Sequence, residues 1–345
     1  MSIQLIALGF ITFSILLFGS CKDSGSNEKK VSDIEYAHFR ENADKLEKLN
    51  ETYRDIPDEK IVMNNGGNSL LYAELKERYK NDLIQLKNAV EATGAKFVVI
   101  IMKPIEKPGD AILNFKVGRP FILSTCSKLG IDCFDFSAKI DEQDPKTVTL
   151  LPRDGHWSKK GGEFFASLFI PVVKKYIGNK STVTYKPSER AETFGDLPPN
   201  DDEFLDGGKD IPYHVKANAQ GLRMDYDLKF PKTKPRILFM GSSHIYSPFL
   251  DNEFIATSVV QKQMPQVEIL NAGILSASID DYLSLFNEKA KYAEPDVVVM
   301  QTNGGDIIHL FFSNRNHLSR NHVPHYPSAL EDAYYHKTYN YEYDK

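Results

Sequence analysis

The sequence has no excess of positive charge. Its 345 residues carry 42 Lys and Arg against 47 Asp and Glu, which gives a formal net charge of −5. A protein that binds a nucleic-acid backbone needs Lys and Arg side chains to neutralise the phosphates. We therefore expect no nucleic-acid partner.

Cysteine is also scarce, with three residues in the whole chain. Cys126 and Cys133 have no histidine near them in the sequence that could activate a thiolate. They either form a disulfide in an oxidising compartment or are two separate buried thiols. A catalytic thiol is therefore not expected.

Long apolar runs are absent except at residues 5–18. This run is short for a membrane span and is typical of the apolar region of a signal peptide. The next residues, Phe18-Gly19-Ser20-Cys21 and a polar stretch, resemble a bacterial lipoprotein signal, in which Cys21 becomes the lipidated first residue. An uncleaved membrane anchor is the alternative. Both predict a cell-envelope protein, periplasmic or surface-exposed, that is attached to a membrane through its anchor.

Regularly spaced metal ligands are missing as well. Five of the nine histidines lie in residues 309–345, but His317, His322 and His325 lack the fixed two-ligand spacing of a zinc site. We therefore predict a surface lobe rich in His and Tyr, no metal and no cofactor.

What the sequence does contain is an alternation of helical and strand-like segments. Amphipathic or helical patterns cover residues 70–93, 120–128, 162–176, 249–264 and 280–292. Residues 97–102 form a short, continuous apolar run, which is typical of a buried parallel strand. Further strands are predicted over residues 131–136, 236–240, 267–270 and 297–301. Between residues 178 and 234 the pattern gives way to Pro, Gly and Asp. The alternation predicts an α/β fold in which helices cover a parallel sheet of about five strands.

A serine pair follows the apolar run 236–240. Ser242 and Ser243 come directly after Gly241, at the expected start of a helix. Ligands bind at the carboxyl ends of parallel strands, and N–H groups at a helix start can bind an oxyanion. Serine is also the ordinary N-cap of a helix, so the position alone fits either a nucleophile or a cap.

The segment Gly241-Ser242-Ser243-His244 resembles block I of the SGNH, or GDSL-like, hydrolase superfamily. Ser243 matches the family nucleophile, and Ser242 stands where Asp is usual. The preceding stretch 218–223 is similar to the lead-in of many bacterial members. Asn271-Ala272-Gly273 resembles block II, which implies that the Gly273 N–H helps to form the oxyanion hole.

Residues 295–306 resemble block III of the same family, with one departure. The family has Asn immediately before the Asp that Asp306 matches, and this chain has Gly305 in place of that Asn. We assign the missing amide donor to Asn303. If Asn303 did not supply it, the oxyanion hole would rest on the Ser243 and Gly273 amides alone.

A nucleophilic serine needs a base and a carboxylate that orients the base. Upstream of the serine, Asp154-Gly155-His156-Trp157 resembles block V, with the usual Asp-x-x-His shortened by one residue. The resemblance implies that His156 is the base and Asp154 its orienter. Residues two apart in an extended segment point to the same side, so a direct contact between them is possible. The alternative is a histidine packed under Trp157.

The order of these blocks is reversed, because the base precedes the nucleophile. We predict a three-layer, flavodoxin-like SGNH fold that is circularly permuted, with Ser243 and His156 meeting across one sheet. The alternative is two incomplete halves of a tandem array. The predicted divisions are a signal peptide (1–21), a polar tether and helix (22–60), the family's second half (61–178), an irregular linker (179–213), its first half (214–312) and the His/Tyr-rich lobe (313–345).

The function that the resemblance implies is extracytoplasmic ester hydrolysis through an acyl-enzyme on Ser243. The shortened Asp-Gly-His-Trp segment resembles that of several SGNH branches that act on polysaccharides. We therefore expect the substrate to be an O-acyl group of a surface or cell-wall glycan, with a lipid ester as an alternative. An acyltransferase with the same serine chemistry is a second alternative. A catalytically weak SGNH-like lipoprotein that binds glycan or an envelope partner is a third, motivated by Ser242 and Gly305.

Overall fold

The computed structural model of the chain describes residues 70–105, 110–205, 211–275, 277–307 and 309–310. The predicted lipidation site Cys21 and the predicted lobe 313–345 lie outside these ranges. No helix within them is both long and apolar enough to cross a membrane.

Nine strands are assigned in these ranges. They are β1 (Lys96–Ile101), β2 (Asp132–Asp135), β3 (Thr149–Leu150), β4 (Asp154–Trp157), β5 (Asp202–Leu205), β6 (Tyr213–Lys216), β7 (Arg236–Gly241), β8 (Glu268–Gly273) and β9 (Val297–Thr302). Eight α-helices accompany them. They are α1 (Leu70–Ala92), α2 (Asp110–Lys128), α3 (Ser137–Asp141), α4 (Pro145–Val148), α5 (Lys159–Tyr176), α6 (Ser243–Tyr246), α7 (Ala256–Gln263) and α8 (Ile279–Glu288).

Five of the strands form one parallel sheet in the order β2-β1-β9-β7-β8. Counted from β7, this is the order 2-1-3-4-5 of the flavodoxin-like class, with β7 and β9 on either side of the point where the order reverses. The halves of the chain share this sheet, because β1 pairs with β9 over its whole length. The predicted five-stranded parallel sheet is confirmed, and two separate half-sheets are not observed.

The sheet separates two apolar cores. Along β1, Phe97, Val99 and Ile101 face the core beneath α1 and α8, whereas Val98 and Ile100 face the core beneath α5 and α7. Strand β1 is therefore apolar on both faces, which explains its continuous apolar run. The layers are helix, sheet and helix, as the sequence predicts.

The helix predicted over residues 249–264 is wrong at its amino end. Phe249 has a left-handed backbone with φ 64°, and a single 3₁₀ turn spans Asn252–Phe254. The α-helix can begin only after this irregular stretch, at Ala256.

Two further features differ from the sequence prediction. The helix predicted from residue 120 begins at Asp110, with Pro120 inside it. Within the predicted irregular stretch, strands β5 (Asp202–Leu205) and β6 (Tyr213–Lys216) pair as an antiparallel hairpin. Strand β5 is mostly exposed and charged, so it carries no continuous apolar run that could indicate a strand.

Candidate active site

The serine pair lies at the carboxyl edge of the sheet, where β7 ends and α6 begins. Gly241 is required there by a close approach, because a Cβ atom would lie 2.6 Å from Gln301 Oε1 and 2.6 Å from Ile245 Cγ1. The backbone leaves the sheet immediately after Gly241, with Ser242 as the N-cap residue of α6. The pair therefore stands at the switch point between β7 and β9, where ligands bind in folds of this class.

The two serines have different surroundings. Ser242 is 3% exposed, and both its N–H and its hydroxyl donate to Gln301 Oε1, at 3.2 and 3.4 Å. Ser243 is partly exposed, and its hydroxyl forms no hydrogen bond to any residue that the structure describes. Of the two, Ser243 is the hydroxyl that a substrate can reach.

Asp154 and His156 form a close pair on the short strand β4. Asp154 Oδ1 lies 2.5 Å from His156 Nδ1 and accepts the His156 backbone N–H at 2.8 Å. The Asp154 side chain is buried, whereas the imidazole of His156 is 28% exposed. With Nδ1 donating to the carboxylate, Nε2 of the neutral ring is the atom that can accept a proton.

Trp157 anchors this strand to the serine-bearing helix. Its side chain is buried, its ring packs 4.0 Å from that of Phe165, and its Nε1–H donates to the His244 carbonyl at 3.3 Å. The histidine packed against the indole is His244, with ring centroids 4.9 Å apart. His156 is thus left partly open at the surface.

The Asp154–His156 pair packs against the segment that carries Ser243. The His156 ring lies 5.9 Å from the ring of His244 and 5.8 Å from that of Phe249. No hydrogen bond joins Ser243 Oγ to His156 in the described structure, and such bonds are often long without substrate. The structure thus brings the three predicted residues into one region, while their catalytic roles stay predictions.

His244 is part of this region but was not among the predicted site residues. It is buried, and its pKa is lowered to about 3, chiefly by burial and also by the nearby His156 and His309, while Asp154 opposes the shift. The ring is therefore neutral at ordinary pH and adds no positive charge beside His156. Its place next to the serine at a strand end is the sequence signal that could have found it.

Gly273 has a different environment from the one predicted. Its N–H donates to Asn271 Oδ1 at 2.9 Å, and a Cβ atom would lie 2.2 Å from Tyr246 N. The glycine thus allows β8 to pass close to α6, and its N–H is already engaged. The oxyanion role of Gly273 stays a prediction, and this hydrogen bond argues against it.

Asn303 directly follows β9, beside the switch point. Its Oδ1 accepts the Gly305 N–H at 2.8 Å, and its own backbone N–H donates to Asp306 Oδ2 at 3.2 Å. None of the described residues accepts a hydrogen bond from Asn303 Nδ2. Gly305 therefore orients the amide of Asn303 and leaves its donor end available to a ligand.

We expect Asn303→Ala to lower kcat for ester hydrolysis by about 100-fold, because one oxyanion donor is lost. Steady-state kinetics with p-nitrophenyl acetate measure the effect. Asn303→Asp should lose as much, since it keeps the shape and the Oδ1 acceptor but has no donor. If both variants matched the parent chain in kcat, Asn303 would have no part in the oxyanion hole.

Asp306 is a buried carboxyl behind Asn303. Burial raises its pKa, whereas His309, the Thr302 hydroxyl and the Asn303 N–H oppose that shift.

Within the described part of the chain, no group of three or more His, Cys, Asp or Glu side chains is placed to hold a metal ion.

No protein-family profile matches the chain, and no curated protein matches its sequence. Among solved structures, the O-acetyltransferase domain of Pseudomonas putida AlgJ is similar to it with 13% identity and a TM-score of 0.42, over 76% of this chain and 91% of that one. Pseudomonas aeruginosa AlgX follows with 14% identity and a TM-score of 0.39, over 67% of this chain and 61% of its own. Bacillus cereus PatB1, solved with a sulfonyl adduct, has 10% identity and a TM-score of 0.36, over 68% and 88%. Likeness at this level assigns no activity to the chain.

Proposed function

We propose that the chain is a serine esterase of the SGNH type that acts through an acyl-enzyme on Ser243. One observation carries the proposal: the Asp154–His156 pair, 2.5 Å apart, packs against the segment that presents Ser243 at the carboxyl edge of the sheet. A nucleophile, a base and a carboxylate that orients the base are the parts that acyl transfer requires.

The reaction runs in two steps on these groups. His156 Nε2 takes the proton from the Ser243 hydroxyl as Oγ attacks the ester carbonyl, and the same nitrogen then returns that proton to the leaving alcohol. Water next attacks the acyl-enzyme, again with His156 as base, and the acid and free Ser243 are released. In this proposal, Asn303 Nδ2 and the Ser243 N–H stabilise the oxyanion in both steps.

The proposed substrate is an O-acyl group on a surface or cell-wall glycan. The support for this is the resemblance of the Asp-Gly-His-Trp segment to SGNH branches that act on polysaccharides. The proposal places the protein in the cell envelope, held by a lipid on Cys21. Fractionation of cells that carry a Cys21→Ser variant checks the anchor, since the variant should leave the membrane fraction.

Capture of the acyl-enzyme tests the proposed chemistry. The chain from Lys22 onward, mixed with p-nitrophenyl acetate and acid-quenched within the first turnover, should gain the mass of one acetyl group. Peptide mapping should place that group on Ser243. A stable acetyl group on another residue, or none during measured turnover, would contradict the proposal.

The same experiment separates hydrolysis from transfer. Adding an oligosaccharide acceptor should leave the rate of p-nitrophenol release unchanged for a hydrolase, and acetate should be the product. Appearance of acetylated oligosaccharide at the expense of acetate would make the chain an acyltransferase that uses the same serine. Absence of both products would leave the binding-protein alternative.

A further inference from the structure

The loop that follows α6 has an unusual backbone. Ser247 has φ 60° and Phe249 has φ 64°, and both values lie in the left-handed region that residues other than glycine rarely adopt. A bulky residue such as Phe is especially uncommon there, and it persists only where the surrounding structure enforces it. The loop, residues 246–250, must therefore be held by other parts of the chain.

Arg223 supplies that restraint. Its side chain is 2% exposed, and Nη1 donates to the carbonyls of Tyr246 at 2.5 Å and Ser247 at 2.9 Å. Nη2 donates to the Leu250 carbonyl, and Nε donates to Asn252 Oδ1 at 3.1 Å. A guanidinium group has several donors in one rigid plane, and here they hold both ends of the loop at once.

The loop connects this restraint to the proposed active site in two ways. Its first turn is continuous with α6, because the Ser247 N–H donates to the Ser243 carbonyl. Its Phe249 ring lies 5.8 Å from the His156 ring on one side and 5.6 Å from the Tyr213 ring on the other. Phe249 therefore stands between the hairpin and the imidazole that we assign as the base.

We infer that Arg223 is a positioning residue for the proposed reaction, on which this inference rests. By fixing the left-handed loop, Arg223 keeps the Phe249 ring against His156 and keeps α6, with Ser243, in register with the Asp154–His156 pair. Arg223 touches no reacting atom. Its effect reaches the chemistry through the loop, and displacement of a catalytic group by about 1 Å can cost about 100-fold in rate.

The first test is Arg223→Lys, which keeps the charge but loses the planar fork. We expect kcat for p-nitrophenyl acetate to fall by about 10- to 100-fold, with a smaller change in KM. A second readout needs no turnover. The proton on His156 Nδ1, hydrogen-bonded to Asp154, should give a far-downfield NMR resonance that His156→Gln removes, and Arg223→Lys should shift or broaden it.

Arg236→Lys is the matched control. Arg236 is also buried, and it also donates to backbone carbonyls, those of Ala293 and Lys229, but it lies at the opposite end of β7 from Ser243. It should lose thermal stability and keep the parent kcat and the His156 resonance. If Arg223→Lys behaved as Arg236→Lys does, Arg223 would be structural only and the inference would be overturned.

Phe249→Asn decides the matter if Arg223→Lys does not fold. Asn tolerates the left-handed backbone, so the loop is kept while the ring against His156 is lost. We expect lower kcat and a shifted His156 resonance without loss of thermal stability. An unchanged kcat and resonance would overturn the inference. A parent chain that shows the resonance but no esterase activity would instead refute the proposed function, and the resonance arm would still test Arg223.

Discussion

Ser243→Ala is expected to lower kcat/KM for p-nitrophenyl acetate by about 10⁴-fold or more, to the residual rate that substrate binding and the oxyanion hole can supply without the nucleophile. Alanine removes the oxygen that forms the acyl-enzyme in the proposed reaction, while the partly exposed position of Ser243 means that little packing is lost. The variant should therefore keep the thermal stability of the parent chain. Initial rates, together with a melting curve for each preparation, measure both quantities.

The neighbouring serine provides the control. Ser242 is buried and hydrogen-bonded to Gln301, so Ser242→Ala tests the removal of a hydroxyl one position away. We expect it to keep activity within about 10-fold of the parent, because no group in the proposed reaction is removed. If Ser242→Ala lost activity and Ser243→Ala kept it, the nucleophile would be Ser242 and the assignment to Ser243 would be wrong.

Asp154→Asn is expected to lower kcat by about 10³-fold or more with an unchanged fold. The Asp154 carboxylate accepts from both the ring Nδ1 and the backbone N–H of His156. An amide at this position can donate to Nδ1, which favours the tautomer with its proton on Nε2. That tautomer cannot take the serine proton, so the base is lost although the geometry remains.

A second Asp–His pair in the chain makes a matched control. Asp202 contacts His214 Nε2 on the hairpin β5–β6, and neither residue has a role in the proposed reaction. Asp202→Asn should break that pair and leave kcat near the parent value.

Combining Ser243→Ala with Asp154→Asn should lower kcat no more than Ser243→Ala alone, because the residues act as one unit. Additive losses would show that Asp154 acts independently of the serine.

The sheet could be predicted from the sequence because its strands have no solvent-facing side. Strands β1, β7 and β9 are buried on both faces, and the sequence of each consists mostly of consecutive apolar residues. The Asp154–His156 contact was likewise expected from a spacing of two residues, since this periodicity is local to a strand. Local physical rules therefore predicted the layer architecture and made the Asp154–His156 contact possible, whereas the choice of these two residues came from their resemblance to block V.

Other parts of the site depend on contacts that no local pattern encodes. The left-handed Phe249 is imposed by Arg223, which lies 26 residues earlier in the sequence. The Gly273 N–H donates to the side chain of Asn271, two residues before it, and nothing in the sequence at Gly273 predicts this hydrogen bond. Exposed strand β5 has charged residues in place of an apolar run. Tertiary hydrogen bonds, rather than propensities, fix these features.

The position of β9 has a consequence for how the chain folds. It pairs with β1 on one side and with β7 on the other, yet β1 lies about two hundred residues before it in the chain. Without β9, the other four strands of the sheet would separate into the pairs β2-β1 and β7-β8, each with an unpaired apolar edge that invites association with other chains. Closing such a distant pairing is slow because the entropy of a long loop must be lost before any contact compensates for it. A growing chain would therefore hold β1 and β2 without their central partner until β9 was synthesised, and a truncation before Val297 would leave the molecule without the strand that joins the two pairs.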